Sequence, residues 1–177
     1  MFFLPNLFAR APAIDEEMRV YLEETIADAG SFEDPYTAEV WLVDMSLRLE
    51  RYIKDPEERL DLLRTVHREA NRVGLQPELV LAVIHTESTF NRFAVSSVGA
   101  QGLMQIMPFW RKELGRIDDN LIELETNIRY GTTILSYYLK REKGNLSRAL
   151  ARYNGSLGKT WYPERVMTRW EKYWLVN

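Results

Sequence analysis

The chain has 177 residues, with 23 basic and 26 acidic side chains and a formal net charge of -3. This length fits one domain, and the charge lacks the basic excess that is typical of nucleic-acid-binding proteins. Its composition, 46% apolar and 28% charged, excludes a disordered chain, a collagen-like repeat and a coiled-coil rod. The absence of cysteine, together with only two histidines, excludes disulfides, thiolate zinc sites and a cysteine nucleophile and leaves little for a histidine metal site.

Residues 1–13 begin with a mostly apolar segment and contain Ala11-Pro12-Ala13, a small-residue pattern typical of signal cleavage sites. The segment lacks a basic start, is short for a secretion signal and carries Arg10 where the apolar run would continue. We expect a flexible or loosely packed arm, with a clipped or mis-started secretion signal as the alternative. No segment of the chain has the run of about 20 apolar residues that a membrane span needs.

Apolar residues recur at helical spacing along most of the chain. They predict helices over residues 15–29, 38–53, 55–74, 121–140, 146–153 and 163–174, and one that starts at Gln76-Pro77. The clearest helix start is Asp55, which accepts hydrogen bonds from the first turn, followed by Pro56 at the first helical position and by Glu58 of a capping box. No alternating stretch is long enough for a sheet, and we therefore expect an all-α fold.

Residues 91–108 interrupt the helices with glycines, a proline and small polar side chains, which predicts an irregular loop with a short helical turn. No aspartate or glutamate lies between Ser88 and Lys112, so this segment offers no second catalytic carboxylate. Its uncharged hydrogen-bonding groups suit a neutral polyhydroxylated ligand. A plain polar surface loop is the alternative, although loops of this length in compact domains are often functional.

Glu87 lies three and four residues beyond Ile84 and Val83, near the centre of an apolar helix stripe. Burial of a carboxyl group at that position would raise its pKa and let it hold a proton near neutral pH, as a general acid must. A glutamate at a fraying helix end that reaches out to water is an equal alternative from position alone.

Three motifs follow one another along the chain. They are ESTFNRFAVSSVGAQGLMQIMP over residues 87–108, NIRYG over residues 127–131 and ALARYNG over residues 149–155. Together they resemble the signature of the soluble-type lytic transglycosylases, peptidoglycan-cleaving enzymes with a lysozyme-like fold, and the resemblance covers roughly residues 64–167. The sequence departs from the pattern at Arg92, where a proline is common, and at Gly155-Ser156, where alanine-glycine is usual.

The resemblance implies an α-helical, lysozyme-like catalytic domain, which we expect over residues 61–177. Residues 1–60 lie outside the resemblance, and we expect them to form an N-terminal arm and helical extension packed on this domain. It implies cleavage of the β-1,4 bond between N-acetylmuramic acid and N-acetylglucosamine, with Glu87 as the single catalytic acid and base. The implied substrate-binding residues are Ser96, Gln105, Met107, Tyr153, Asn154 and Glu164. We expect no metal or organic cofactor, peptidoglycan glycan strands as the binding partner, a monomer, and a place in the periplasm or cell envelope.

Most glycosidases use two carboxylates, whereas this segment contains one. We expect Glu87 to protonate the glycosidic oxygen and then to take the proton of the muramyl 6-hydroxyl as a 1,6-anhydro ring closes. The N-acetyl group of the substrate, or an oxocarbenium-like state, would replace the missing nucleophile. The alternatives are a lysozyme-like hydrolase of peptidoglycan or chitin and a catalytically silent glycan-binding module.

Several other aromatic and histidine side chains have structural interpretations. The aromatic stripe over residues 170–174 is expected to be core. His85 points nearly opposite Glu87 on the helix, which favours a structural or surface histidine over a catalytic partner. Trp161 and Tyr162 either stack on a sugar or pack in the core.

Overall fold

The structure is a computed structural model that describes residues 35–176. This part of the chain folds into helices without a β-strand: α1 (Pro35–Leu49), α2 (Pro56–Val73), α3 (Pro77–Glu87), α4 (Trp110–Leu114), α5 (Leu124–Arg141), α6 (Leu146–Tyr153), α7 (Trp161–Arg169) and a π-helical turn (Trp170–Trp174). The predicted all-α class is confirmed. The arm predicted over residues 1–13 and the helix predicted over residues 15–29 lie outside the described residues.

The two ends of α2 are set by residues that the sequence analysis singled out. Asp55 Oδ1 accepts hydrogen bonds from the backbone N–H groups of Glu57, at 2.8 Å, and Glu58, at 3.2 Å. Gly74 follows the helix with a φ of 73°, a left-handed conformation that glycine adopts without steric cost. Both the predicted start and the predicted end of this helix are confirmed.

Other helix ends differ from the predicted ones. The first described helix spans residues 35–49 rather than 38–53, and the last begins at residue 161 rather than 163. The helix predicted from residue 121 begins at Leu124, because the Glu123 carboxylate caps it by accepting hydrogen bonds from two backbone N–H groups of its first turn. Glutamate is not one of the preferred N-cap residues, which is why the sequence pattern missed this start. The short helix α4 was not predicted.

Helix α3 lies at the centre of the core. Residues 79–85 are all buried, and the helix packs against α2, α7 and the π-helical turn. The sequence predicted one apolar stripe on this helix, but residues on all of its sides are buried, because α3 is enclosed by its neighbours. Side chains of α1 join the same core, while the domain division at residue 60 stays a prediction. Among residues 35–176, no helix is both long enough and apolar enough to cross a bilayer.

Aromatic residues pack around His85 on α3. Trp174 Nε1 donates a hydrogen bond of 3.3 Å to His85 Nδ1, so the ring proton is on Nε2, which donates to the hydroxyl of Tyr52 at 3.0 Å. Burial, with a smaller effect of nearby arginines, lowers the pKa of His85 to about 4. His85 is therefore a neutral structural residue, as expected. Trp174 is fully buried and the rest of the stripe packs against the core, which confirms that interpretation as well.

Candidate active site

Glu87 is the last residue of α3, and the chain turns sharply after it. Thr89 and Phe90 have positive φ angles of 50° and 63°, a region that costs energy for residues other than glycine. The side chain of Phe90 is buried, with its ring centroid 5.0 Å from that of Tyr52 and 5.3 Å from that of Trp174. This packing holds the strained turn and so fixes the direction in which the chain leaves Glu87.

The side chain of Glu87 is half-buried, with its carboxyl group surrounded by protein, and the hydroxyl of Tyr162 donates a hydrogen bond of 2.5 Å to its Oε1. Burial raises the pKa of Glu87 to about 7, while the hydrogen bond from Tyr162, which favours the carboxylate, acts in the opposite direction. Both protonation states are therefore populated near neutral pH, as required of a group that gives a proton and takes one back. The alternative of a glutamate reaching out to water is wrong.

Two tyrosines interact electrostatically with Glu87. Tyr153 ends α6 and donates from its hydroxyl to the backbone carbonyl of Met104 at 2.8 Å. Tyr162, near the start of α7, is 2% exposed. Burial, reinforced by the charge of Glu87, holds the pKa of both phenols well above its usual value. Both hydroxyls therefore remain protonated and serve as hydrogen-bond donors.

The loop predicted over residues 91–108 is irregular, as expected. It contains two isolated antiparallel bridges and not the short helical turn that we predicted. We call residues 91–108 the glycine loop. Its backbone at Leu103 and Met104 is fixed from outside the loop. Ser88 Oγ donates to the carbonyl of Leu103 at 2.8 Å, and Tyr153 donates to that of Met104. The loop is thereby attached to the residue that follows Glu87 and to the end of α6.

Asn127 of α5 makes three further hydrogen bonds to this region. Its Oδ1 accepts from the backbone N–H of Met104 at 2.8 Å, and its Nδ2 donates to the carbonyls of Gln101, at 2.9 Å, and Leu121, at 2.6 Å. A Cβ on Gly131, one turn along the helix, would lie 2.2 Å from the sulfur of Met104. The NIRYG motif therefore needs an amide and a glycine four residues apart to bring α5 against the glycine loop.

Two predicted substrate-binding residues hold the glycine loop together. Ser96 Oγ accepts a hydrogen bond from the backbone N–H of Ala100 at 3.0 Å. Gln105 Nε2 donates to the carbonyls of Gly102, at 2.9 Å, and Ala94, at 3.2 Å. In the structure these two side chains satisfy backbone groups of the loop.

The remaining predicted residues lie in different environments. Met107 is half-buried in the glycine loop, and Asn154 is exposed just after α6. Glu164 is exposed on α7, two residues and so about 200° around the helix from the buried Tyr162. The structure thus brings Tyr153 to Glu87 but places Glu164 on the opposite face of α7. Among the described residues, no group of three or more histidine, aspartate or glutamate side chains could hold a metal ion.

The contact of Tyr162 with Glu87 has no signal in the sequence. The spacing of Tyr162 and Val166, both buried, assigns Tyr162 to the apolar face of α7. Nothing in that spacing shows that the face meets Glu87, which lies 75 residues earlier in the chain. The open choice for Tyr162 between sugar stacking and packing is settled in favour of packing, with its hydroxyl on the carboxyl of Glu87.

Comparison with known proteins gives one family. The family model described as transglycosylase SLT domain matches residues 64–173, a segment that contains Glu87, the glycine loop, Tyr153 and Tyr162. A transglycosylase from Enterobacteria phage PRD1 is 36% identical over 110 residues, which cover 58% of this chain and 40% of the relative.

Two other similar proteins are considerably longer than this chain. A membrane-bound lytic murein transglycosylase C from Yersinia pestis (strain Pestoides F) is 33% identical over 112 residues, which cover 54% of this chain and 31% of the relative. The chain therefore spans less than half the length of these two sequence relatives. A solved structure of an inactive mutant of the lytic transglycosylase Slt from Pseudomonas aeruginosa is 24% identical with a TM-score of 0.49, over 93% of this chain and 33% of that chain.

Proposed function

This chain belongs to the family of transglycosylase SLT domains, and from that premise we propose that it is a peptidoglycan lytic transglycosylase with Glu87 as its catalytic acid and base. The observation that carries the proposal is the buried carboxyl of Glu87, whose pKa is raised to about 7 and which accepts a hydrogen bond from Tyr162. The proposed substrate is the β-1,4 bond between N-acetylmuramic acid and N-acetylglucosamine in glycan strands.

The proposed reaction needs one carboxyl group in two roles. Protonated Glu87 first donates its proton to the glycosidic oxygen, and the bond to the leaving sugar breaks. Participation by the substrate's own N-acetyl group, or an oxocarbenium-like state, carries the positive charge at the anomeric carbon. The Glu87 carboxylate then takes the proton of the muramyl 6-hydroxyl, whose oxygen attacks the anomeric carbon and closes the 1,6-anhydro ring. Glu87 ends the cycle protonated, and no water, metal or organic cofactor takes part.

The other residues of the proposal act around this proton transfer. Tyr162 is a positioning residue, because its hydroxyl holds Oε1 of Glu87. Ser96 and Gln105 shape the glycine loop that faces the sugar. We assign Met107, Tyr153 and Asn154 to substrate contacts. Glu164 has the weakest support, since its side chain is exposed on the face of α7 opposite Tyr162.

The proposal extends to domain division and place of action. Residues 61–177 form the catalytic domain, residues 1–60 pack on it as an arm and helical extension, and the protein acts as a monomer. Its substrate places it in the periplasm or cell envelope. The similarity to a transglycosylase of a phage and to a membrane-bound lytic murein transglycosylase supports an action on the cell wall.

Digestion of purified peptidoglycan by the full chain is expected to release products that end in 1,6-anhydromuramic acid, each lighter by one water than a hydrolysis product. Mass spectrometry of the soluble digest, made with a chelator present, measures this directly. Products with reducing ends would instead assign the protein as a lysozyme-like hydrolase. No soluble product from correctly folded protein would favour the catalytically silent glycan-binding module.

Tyr162→Phe is expected to shift the high-pH limb of the pH–rate profile of cleavage upwards by about one pH unit. The reason is that the loss of a hydrogen bond that favours the carboxylate raises the pKa of Glu87. The acid step needs protonated Glu87, so the rate falls as pH rises through the pKa of about 7. The measurement is the cleavage rate from acid to alkaline pH.

Tyr153→Phe is the matched control for this pH profile. Its hydroxyl binds a loop carbonyl rather than Glu87, so the variant is expected to lower the rate without moving the limb. An unmoved limb in Tyr162→Phe would show that this hydrogen bond does not set the ionisation of Glu87.

A further inference from the structure

The two neighbouring aromatic residues at the start of α7 have opposite environments. Tyr162 is 2% exposed, whereas Trp161 is 45% exposed. Their ring centroids are 5.8 Å apart and their planes are inclined by 86°, which is an edge-to-face contact. Because the hydroxyl of Tyr162 binds Glu87, an exposed indole lies one side chain away from the proposed catalytic carboxyl.

The indole of Trp161 is also held by Arg165, one turn further along α7. The guanidinium carbon of Arg165 lies 5.4 Å from the centroid of the Trp161 ring, within the range of a cation–π interaction. The two residues are four apart on the helix, the spacing at which side chains meet on its surface. Tyr162 and Arg165 together restrict the rotation of the indole, so less conformational entropy is lost when a ligand stacks on it.

Arg165 keeps its polar edge available. It is exposed, and its guanidinium contacts Trp161 but forms no ion pair or hydrogen bond with another side chain of residues 35–176. A guanidinium that stacks through its face can still pair with a carboxylate through its N–H groups. The chain as a whole carries a net charge of -3, so attraction of an acidic group on a substrate has to come from a local cation such as this one.

We propose that Trp161 and Arg165 form a substrate-binding surface beside Glu87, on which the indole stacks against a sugar ring and the guanidinium pairs with a carboxylate of a peptide stem. This inference rests on the proposed function, because it takes peptidoglycan as the substrate. The C–H face of a pyranose ring is apolar and matches a flat indole. The peptide stems that muramic acid carries end in free carboxylates, which match the guanidinium of Arg165.

Binding is measured with the full chain carrying Glu87→Gln, so that the strands are not cut, against soluble glycan strands with and without their peptide stems. Adding Trp161→Ala is expected to weaken binding to both kinds of strand by about tenfold, as for the loss of an aromatic anchor. Adding Arg165→Gln is expected to weaken binding about threefold, and only to the strands that carry stems. Trp161→Phe, which keeps a flat ring, is expected to retain most of the affinity.

The matched control is Tyr137→Ala. Tyr137 is an exposed aromatic residue on α5 that likewise pairs with an arginine one turn along its helix, Arg141, and its loss is expected to leave binding unchanged. Circular dichroism melting checks that every variant is folded.

Two outcomes would overturn the inference. Equal affinities of the Trp161→Ala and Tyr137→Ala proteins would remove Trp161 from substrate binding. If Arg165→Gln weakened binding to strands without stems as much as binding to strands with stems, the pairing of Arg165 with a stem carboxylate would be ruled out. Failure of the proposed function is recognised separately, because it shows as continued cleavage by the Glu87→Gln protein rather than as a change in the relative affinities.

Discussion

Glu87→Gln is expected to lower the rate of peptidoglycan cleavage by about a thousandfold or more, because the same side chain both gives and takes the proton. The glutamine amide has nearly the same shape, and its oxygen can still accept the hydrogen bond that Tyr162 donates to Glu87. It cannot donate an acidic proton to a leaving oxygen. The measurement is the release of soluble muropeptides at equal concentrations of the two proteins. A wild-type rate in the variant would remove Glu87 from the mechanism.

The same substitution is expected to stabilise the fold at alkaline pH, which separates lost chemistry from lost structure. Burial raises the pKa of Glu87 from 4.5 to about 7, so between these values the folded state binds more protons than the unfolded state. The free energy of unfolding of the wild type therefore falls as pH rises through this window. Above it, Glu87→Gln is expected to be more stable by about 3 kcal/mol, and below it the difference disappears.

Chemical denaturation at two pH values measures this difference in stability. Glu113→Gln is the matched control, because Glu113 is exposed on α4 and its replacement removes no buried charge. It is expected to show no such dependence on pH. Equal stability of the wild type and the Glu87→Gln variant at alkaline pH would contradict the conclusion that desolvation of the ionised Glu87 carboxylate destabilises the fold.

Asn127→Ala is expected to lower the free energy of unfolding by about 3 kcal/mol or more, since it removes three hydrogen bonds and leaves two buried polar groups without partners. The two groups are the backbone N–H of Met104 and the carbonyl of Leu121, whereas the carbonyl of Gln101 keeps the hydrogen bond from the backbone N–H of Ile106. Asn127 is 1% exposed, so water cannot readily replace the amide. Because the glycine loop adjoins Glu87, cleavage is expected to fall along with stability. Thermal melting and the rate of muropeptide release measure the two effects.

The control for Asn127 is Asn120→Ala. Asn120 is exposed, and its side-chain oxygen accepts a hydrogen bond from the backbone N–H of Ile122. Its replacement is expected to cost at most about 1 kcal/mol and to leave cleavage unchanged. If Asn127→Ala melted and cleaved like the wild type, the glycine loop would not depend on this side chain.

The helical content and its best-marked ends followed from local chemistry. Apolar spacing predicts helices because a residue meets its neighbours three and four positions away. The ends of α2 were predictable because Asp55 and Gly74 act on adjacent backbone groups. The start of α5 was missed because Glu123, an uncommon cap, takes the place of a usual one.

The candidate catalytic residue was also within reach of the sequence, although its partner was not. Position on an apolar helix left burial and exposure of Glu87 as equal alternatives, and the resemblance carried by the three motifs favoured Glu87 as the catalytic acid. The hydrogen bond from Tyr162, by contrast, joins residues 75 positions apart. It depends on how α7 packs against α3, a contact that no local pattern encodes. The exposed fractions of the two neighbouring aromatic side chains also depend on the tertiary structure, which buries Tyr162 in the core and leaves Trp161 partly exposed to solvent.

The amino-acid order alone therefore decided which segments are helical and which loop is rich in glycine, because both depend on neighbours within a few residues. It also pointed to Glu87 as the candidate acid, through the combined resemblance of three motifs. The tertiary structure decided the pKa of Glu87, its tyrosine partner and the anchoring of the glycine loop by Asn127. Desolvation and long-range hydrogen bonds exist only once distant helices have packed together, and they are what turn a buried glutamate into a group that can exchange a proton near neutral pH.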